Sequence, residues 1–222
     1  QIGIDIFSMK MFLLLICGFT TGVYVLYDLK YMEIPDQIMI PVIGLLLAIP
    51  LFSLLFVSSS IHTFHMFDIN IINGLTGAWI LYTFFYIQIL IPGGYYLIKN
   101  RDVKNLGDLL LNYITFPFLM FIDFFRKNKG DNSIEIPTWV GGGDLRIAIF
   151  VGLTLGTFHG IMSFAFAYIL GSIVGICMIL VHLIQRKKMN SQIPFGPFLA
   201  IGWFISVIFY SQIEYISNIF LY

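Results

Sequence analysis

Long apolar runs recur along the chain, and they constrain its fold more than any other feature. A helix that crosses a membrane needs about 20 mostly apolar residues, enough for roughly 30 Å of hydrocarbon. The runs that approach or exceed this length are Met11–Tyr27, Ile38–Val57, Ile71–Ile98, Leu145–Phe158, Ile161–Ile184 and Phe195–Ile213. The sequence therefore predicts an all-α, polytopic membrane protein with about six transmembrane helices, in one membrane-embedded domain over residues 1–222.

Composition supports this class of protein. The chain is 59% hydrophobic and 11% charged, whereas a soluble domain is about 25% charged. Its formal net charge is zero, so it lacks the basic excess of a nucleic-acid-binding protein, and membrane lipid is the expected surrounding. The two cysteines, Cys17 and Cys177, lie in separate apolar runs and form no CxxC motif. We therefore expect neither a metal site nor a cofactor.

The lysines and arginines predict an orientation, because loops rich in them stay in the cytoplasm. Basic residues occupy the loops after the first, third and fifth runs: Lys30; Lys99, Arg101, Lys104, Arg126, Lys127 and Lys129; Arg186, Lys187 and Lys188. These loops are expected to be cytoplasmic and both termini external. Lys10, on the outer side, is the one exception.

A further apolar segment, Leu109–Phe125, lies within the long connection 99–139. Basic clusters flank it on both sides, and a span would place one of them outside. We therefore interpret it as an interfacial or re-entrant helix of a cytoplasmic insert. A seventh span is the alternative, and the sequence assigns the insert no function.

Two carboxylates stand out by position. Asp28 directly follows the first run, and Asp144 directly precedes the fourth. The predicted topology puts both on the cytoplasmic side. The fourth run has 14 residues and reaches only about 21 Å, so Asp144 is expected within the membrane thickness. Gly141–Gly143 then forms irregular backbone at that depth, which is tolerated only inside protein or beside a wet cavity.

Two carboxylates that face one cavity have a known chemical use. Like charges held close together share one proton, so one member takes a proton from water while the other donates to a carbonyl. This arrangement hydrolyses a peptide without a covalent intermediate. Other interpretations of these acidic residues remain open. Glu33 or Asp36 could be the important acid, Asp28 could cap the loop or the second helix, and Asp144 could cap its helix beside Arg146. The carboxylates could also serve a small transporter or ion-binding membrane protein.

Three stretches resemble the type IV prepilin peptidases, a family of GxGD aspartic membrane peptidases related to the archaeal preflagellin peptidases. "GGGDLRIAIFVGLTLG", Gly141–Gly156, resembles the GxGD block. "DLKYMEIPDQIMIP", Asp28–Pro41, is similar to the block of the first aspartate. "IPFGPFLAIGWF", Ile193–Phe204, looks like the proline-rich block of the last helix. The family usually has lysine two residues after the second aspartate, where this chain has Arg146.

The resemblance implies an aspartic endopeptidase of the inner (cytoplasmic) membrane with its site facing the cytoplasm. The substrates that the resemblance implies are prepilins or pseudopilins, whose short basic leader is removed. Asp28 and Asp144 match the catalytic pair, which needs no cofactor. The expected substrate-binding residues are Gly141, Gly142, Gly143, Pro194, Phe195, Gly196 and Pro197.

Two further expectations concern these blocks. A proline-bounded helix start could leave backbone groups free for an extended substrate strand, although an ordinary Pro-initiated helix is the alternative. Many bacterial members also methylate the new N-terminus, with a domain that often carries paired CxxC motifs. This chain contains no such motif, so we do not expect methyl transfer from it. The sequence leaves the oligomeric state open.

Overall fold

The computed structural model describes residues 6–56, 71–100, 103–125, 141–185 and 194–221. These ranges are almost entirely helical, which confirms the all-α prediction for the described part of the chain. The helices are α1 (Ile6–Tyr31), α2 (Asp36–Phe56), α3 (Ile71–Lys99), α4 (Val103–Phe125), α5 (Gly142–Gln185), α6 (Gly196–Ile208) and α7 (Tyr210–Leu221).

Fewer helices qualify as membrane spans than the sequence predicts. By length and composition, those that qualify among the described residues are Met11–Tyr31, Ile71–Lys99 and Gly142–Gln185. The predicted last span, Phe195–Ile213, is broken: α6 and α7 meet at an angle of 79° and count as a span only when taken together. Apolar helices long enough to cross a membrane are thus present, but the count of six is not reproduced.

The long helix α5 is divided at Gly156. This residue has φ 72° and ψ −169°, a conformation essentially restricted to glycine. A Cβ on Gly160 would lie 3.9 Å from Cα of Gly152, although residues eight apart in a straight helix are about 12 Å apart. The chain therefore folds back into a hairpin with two arms. The reversal lies at Gly156, inside the predicted fourth run Leu145–Phe158, rather than between the fourth and fifth runs.

Helix α3 packs against this hairpin at very short range. A Cβ on Gly152 would lie 2.2 Å from the backbone nitrogen of Ala78, and one on Gly77 would lie 2.6 Å from the carbonyl carbon of Gly156. Small residues let helix backbones approach in this way. Farther along α3, Phe85 contacts Phe164 at 5.1 Å between ring centroids, so α3 runs parallel to the second arm. Pro92 does not end α3, which is continuous to Lys99.

Helix α6 packs in the fold of the hairpin. A Cβ on Gly202 would lie 2.2 Å from the carbonyl oxygen of Ser163 on the second arm. On the first arm, Thr154 accepts a 3.0 Å hydrogen bond from the indole Nε1 of Trp203. Beyond the bend, the imidazole of His159 stacks on the ring of Tyr210 at 4.0 Å. Helix α6 therefore runs in the same direction as the first arm.

Helix α4 lies along α3 and runs antiparallel to it. The hydroxyl of Tyr82 donates to the carbonyl of Tyr113 at 2.8 Å, and that of Tyr86 donates to the carbonyl of Leu109. These contacts place α4 against the bundle. Its apolar stretch, Gly107–Ile122, is shorter than the helices that qualify as spans. Of the predicted insert, residues 101–102 and 126–139 lie outside the described residues.

These directions gather several helix termini at one end of the bundle. We call it the acidic end and define it by Asp28, Asp36, Asp144 and Gly196. Helix α1 ends there, and α2, α5 and α6 begin there. The fold thus brings together residues from three distant parts of the sequence.

Candidate active site

A cavity of about 580 Å³ opens at the acidic end. Its lining comes from the end of α1, the connection to α2 and the start of α5, and includes both predicted catalytic residues, Asp28 and Asp144. The structure therefore brings the two predicted acids, Asp28 and Asp144, to the lining of one cavity.

Asp28 is held by a backbone group from the far end of the chain. Its side chain is only 8% exposed, and Oδ2 accepts a 2.7 Å hydrogen bond from the N–H of Gly196. A carboxylate is also favoured at the positive N-terminus of a helix. Helix α6 has no side-chain cap of its own, so Asp28 fills that position from α1.

The other backbone N–H groups in the first turn of α6 are either absent or already hydrogen-bonded. Pro197 has no N–H, and the N–H groups of Phe198 and Leu199 both donate to the carbonyl of Phe195, at 3.1 and 3.2 Å. Gly196 is thus the donor that this helix start directs to Asp28. The expectation that the block offers free backbone groups to substrate is not met at Gly196, whose N–H is already engaged.

The proline-rich block does not line the cavity. Phe195 packs on Tyr168 at 5.0 Å and approaches Phe85 at 6.3 Å between ring centroids. None of the residues of this block that we expected to bind substrate lines the cavity that contains the carboxylates: Pro194, Phe195, Gly196 and Pro197. The block contacts the site through the hydrogen bond from Gly196 to Asp28.

The connection between α1 and α2 folds over the same site. The N–H of Met32 donates to the carbonyl of Asp28 at 2.9 Å, and Met32 has φ 53°. A left-handed residue at this position ends a helix and reverses the chain. The turn brings Ile34 and Asp36 back against the start of α5.

Arg146 pairs with Asp36 and not with Asp144. Its Nη1 lies 2.7 Å from Oδ1 of Asp36, and its guanidinium lies 6.0 Å from the ring centroid of Phe116. The alternative in which Arg146 partners a capping Asp144 is therefore not found. Asp36, a rival candidate acid, is already engaged in this ion pair, whereas Glu33 is exposed at the cavity rim.

The glycines before Asp144 differ from one another. Helix α5 begins at Gly142, so the prediction of irregular backbone through Gly143 is wrong. A Cβ on Gly143 would lie 2.7 Å from Cδ1 of Ile34, so this glycine makes room for the α1–α2 connection. A Cβ on Gly142 would meet nothing within 4 Å. Of the expected substrate-contacting glycines, Gly142 and the exposed Gly141 retain open space.

Sequence reasoning did not single out Tyr24, which lies beneath the site. It is fully buried, and it is close enough to interact electrostatically with both Asp28 and Asp144. Its hydroxyl lies beside Thr21 but makes no hydrogen bond of regular geometry to the described residues. The spacing of four residues from Asp28, one helical turn, is the signal that could have found it.

Tyr168 also lies near Asp144, and its hydroxyl accepts a 2.8 Å hydrogen bond from Nε2 of Gln88. No sequence signal links it to the aspartates. Among the described residues, no group of three or more His, Cys, Asp or Glu side chains is placed to hold a metal ion.

The chain was also compared with known proteins. A scan of protein-family models, a search of curated proteins and a search of solved structures each find no match to it.

Proposed function

We propose that the protein is a membrane aspartic endopeptidase that removes the leader from prepilin- or pseudopilin-like precursors. The observation that carries this proposal is the presence of Asp28 and Asp144 in one cavity at the acidic end. Support from the sequence comes from the three blocks that resemble prepilin peptidases, since residues from all three lie at this end of the bundle.

The proposed reaction uses a water molecule between the two carboxyl groups. The ionised member accepts a proton from the water, whose oxygen attacks the peptide carbonyl carbon. The protonated member donates its proton to the carbonyl oxygen. When the tetrahedral intermediate collapses, the C–N bond breaks and the carboxyl group that took the proton from water gives it to the departing nitrogen. The other carboxylate takes back a proton from a hydroxyl of the intermediate, so the pair again holds one proton. The pair titrates as a unit, and no covalent intermediate forms.

The proposed orientation places the acidic end in the cytoplasm of the cell, at its inner membrane. Support comes from Lys30 and Lys99, the basic residues in the last turns of α1 and α3. Both helices run toward the acidic end, and positive charge favours the cytoplasmic side. A leader with basic residues would therefore approach the carboxylates from the cytoplasm.

The direct test is cleavage of a panel of leader-bearing prepilins by the purified protein, followed by mass spectrometry. Asp28→Asn and Asp144→Asn should each reduce cleavage to background while the protein still folds. Mass spectrometry also reports the cut position and any methylation of the new N-terminus. Turnover retained by either variant would overturn the assignment of the pair.

Glu33→Gln is the matched control because it removes a carboxylate from the rim of the same cavity. It should leave cleavage close to wild type. Asp28→Asn also changes the acceptor of the Gly196 N–H, so its fold must be checked by circular dichroism. Substrate-dependent ion flux in liposomes, with no cleavage of any prepilin, would favour a transporter and contradict the proposal that the protein is a peptidase.

A further inference from the structure

An apolar groove lies between α1 and α6 on the side of the molecule that adjoins the acidic end. We call it the α1–α6 groove. It has a volume of about 580 Å³ and is lined entirely by apolar residues, glycine and proline. Its boundaries are marked by Phe19, Gly22, Leu26, Pro197, Ile201 and Phe204.

One end of this groove lies near the acidic end of the bundle. Its lining residue Leu26 directly precedes Tyr27, which lines the carboxylate cavity, and its lining residue Pro197 directly follows Gly196. Gly196 donates the 2.7 Å hydrogen bond to Asp28, so this bond lies close to the end of the groove. A chain that passed this bond would leave an apolar surface and reach a polar one beside a candidate catalytic acid.

The dimensions of the groove suit a helix. Along α1 it extends from Phe19 to Leu26, seven steps of 1.5 Å or about 10 Å, which is two helical turns. Two turns of a helix about 10 Å across occupy roughly 800 Å³ by the same geometry. The groove could therefore take up most of the volume of such a segment and leave its outer face on lipid.

The floor of the groove contains small residues. A Cβ added to Gly22 would meet nothing within 4 Å, and Ala200 lies opposite on α6 as part of the same lining. Small residues at a helix surface let a second helix approach closely in a membrane, where packing rather than hydrophobicity drives association. This feature favours a helix over a lipid tail as the occupant.

We infer that the α1–α6 groove binds the apolar helix of the substrate, the segment that follows the bond to be cut. This inference rests on the proposed function. The order of the two surfaces matches the order of the substrate chain: the leader lies at the acidic end, the scissile bond at Asp28 and Asp144, and the apolar helix below them. The groove then holds the substrate and sets the distance of the scissile bond from its helix.

Cross-linking tests this inference without requiring turnover. A photoreactive p-benzoylphenylalanine replaces Ile201, which is 46% exposed in the groove, and in a control replaces Ile176, which is 58% exposed on the second arm of α5. Both carry Asp144→Asn so that a prepilin in liposomes stays uncut. Position 201 should cross-link to the prepilin helix several-fold more than position 176. Equal yields, or lipid adducts alone at 201, would overturn the inference.

A kinetic experiment uses two glycines of α1. Neither Gly22 nor Gly18 has a neighbouring atom within 4 Å of an added Cβ, but only Gly22 lines the groove. Gly22→Leu should lower kcat/KM for full-length prepilin at least about tenfold, which equals about 1.4 kcal/mol of lost binding. Gly18→Leu should have little effect.

A short soluble peptide that spans the cut site but lacks the apolar helix separates the two hypotheses. Wild-type protein and Gly22→Leu should cut this peptide equally slowly. If Gly22→Leu cuts full-length prepilin as well as wild type, the groove inference fails although the peptidase proposal stands. If wild type cuts neither substrate, the peptidase proposal fails. The cross-linking yields alone then show whether the groove binds the apolar helix of the prepilin.

Discussion

The backbone N–H of Gly196 donates a 2.7 Å hydrogen bond to Oδ2 of Asp28 across 168 positions of sequence. This bond fixes the start of α6 against the end of α1, and it orients one carboxylate of the candidate pair. It also lies close to the end of the α1–α6 groove, since Pro197, which lines the groove, directly follows Gly196. The proline-rich block is thus a support for Asp28, which explains why a glycine stands between its two prolines.

Substitution of Gly196 by alanine should therefore displace Asp28. The added Cβ would lie 2.5 Å from Oδ2 and 3.0 Å from Cγ of that residue, distances that require a shift. A misplacement of about 1 Å can cost about 10²-fold in rate, so we expect a loss of that order in prepilin cleavage. Steady-state kinetics on purified protein measures it.

Gly175→Ala is the control, because an added Cβ there meets nothing within 4 Å. It should leave both the activity and the melting temperature near wild type. A Gly196→Ala variant with wild-type kcat/KM would show that the position of Asp28 does not limit catalysis.

The pair of Arg146 and Asp36 gives a prediction about stability. It joins the start of α5 to the start of α2 at 2.7 Å, with side chains 20% and 31% exposed. Because solvent partly screens it, a double-mutant cycle with Arg146→Ala and Asp36→Ala should give a coupling of about 1 kcal/mol or less. Thermal or denaturant unfolding in detergent measures this coupling.

Arg146→Lys tests whether a positive charge at this position is sufficient for stability and activity. Lysine is the usual residue at this position in the family that the chain resembles, and it is a point charge without the planar fork of arginine. We expect Arg146→Lys to retain most of the stability and activity. Loss of activity as severe as that of Asp144→Asn would instead assign Arg146 to the reaction itself.

The positions of the two acids at one end of the bundle could be predicted from the pattern of apolar runs. Asp28 and Asp144 each lie at the edge of an apolar run, so topology alone puts them at one end of the bundle. The roles of Gly143 and Gly196 were not predictable in this way. Their neighbours, Ile34 and Asp28, are far from them in sequence, and a glycine that admits substrate looks the same as one that admits its own chain.

The fold was predicted less well where helices bend. The hairpin at Gly156 is encoded by one glycine, since only its φ of 72° departs from helix. Apolar content continues through Phe209, where α6 ends and α7 begins at 79°. Hydropathy measures transfer to lipid and carries no information about backbone angles. The prediction based on it therefore placed α6 and the start of α7 in one span, Phe195–Ile213.

The contact between α3 and the first arm of α5 should be essential for folding. A Cβ on Gly152 would lie 2.2 Å from the backbone nitrogen and 2.3 Å from Cα of Ala78. Backbone atoms cannot move aside as a flexible side chain can. Gly152→Ala should therefore lower the free energy of unfolding by at least about 1–3 kcal/mol, the range typical of overpacking. The melting temperature in detergent measures this loss.

Gly107→Ala is the matched substitution, because an added Cβ there meets nothing within 4 Å. It should be neutral or slightly stabilising, since alanine favours helix over glycine by about 1 kcal/mol. Equal melting temperatures for Gly152→Ala and wild type would contradict the close crossing of α3 and α5.

Tyr24→Phe tests a positioning residue beneath the carboxylates. The substitution keeps the fully buried ring and removes only the hydroxyl, which has no regular hydrogen bond to the described residues. If that hydroxyl orders water or a carboxyl group of the pair, kcat should fall about tenfold with KM unchanged. Loss of a direct transition-state donor costs more, about 10²–10³-fold.

Tyr27→Phe is the control, because Tyr27 is 43% exposed at the cavity and should tolerate the change. The pH dependence of kcat separates function from packing: an altered profile with an unchanged melting temperature supports a link to the carboxyl pair, whereas wild-type kcat and pH profile would show that Tyr24 only fills space.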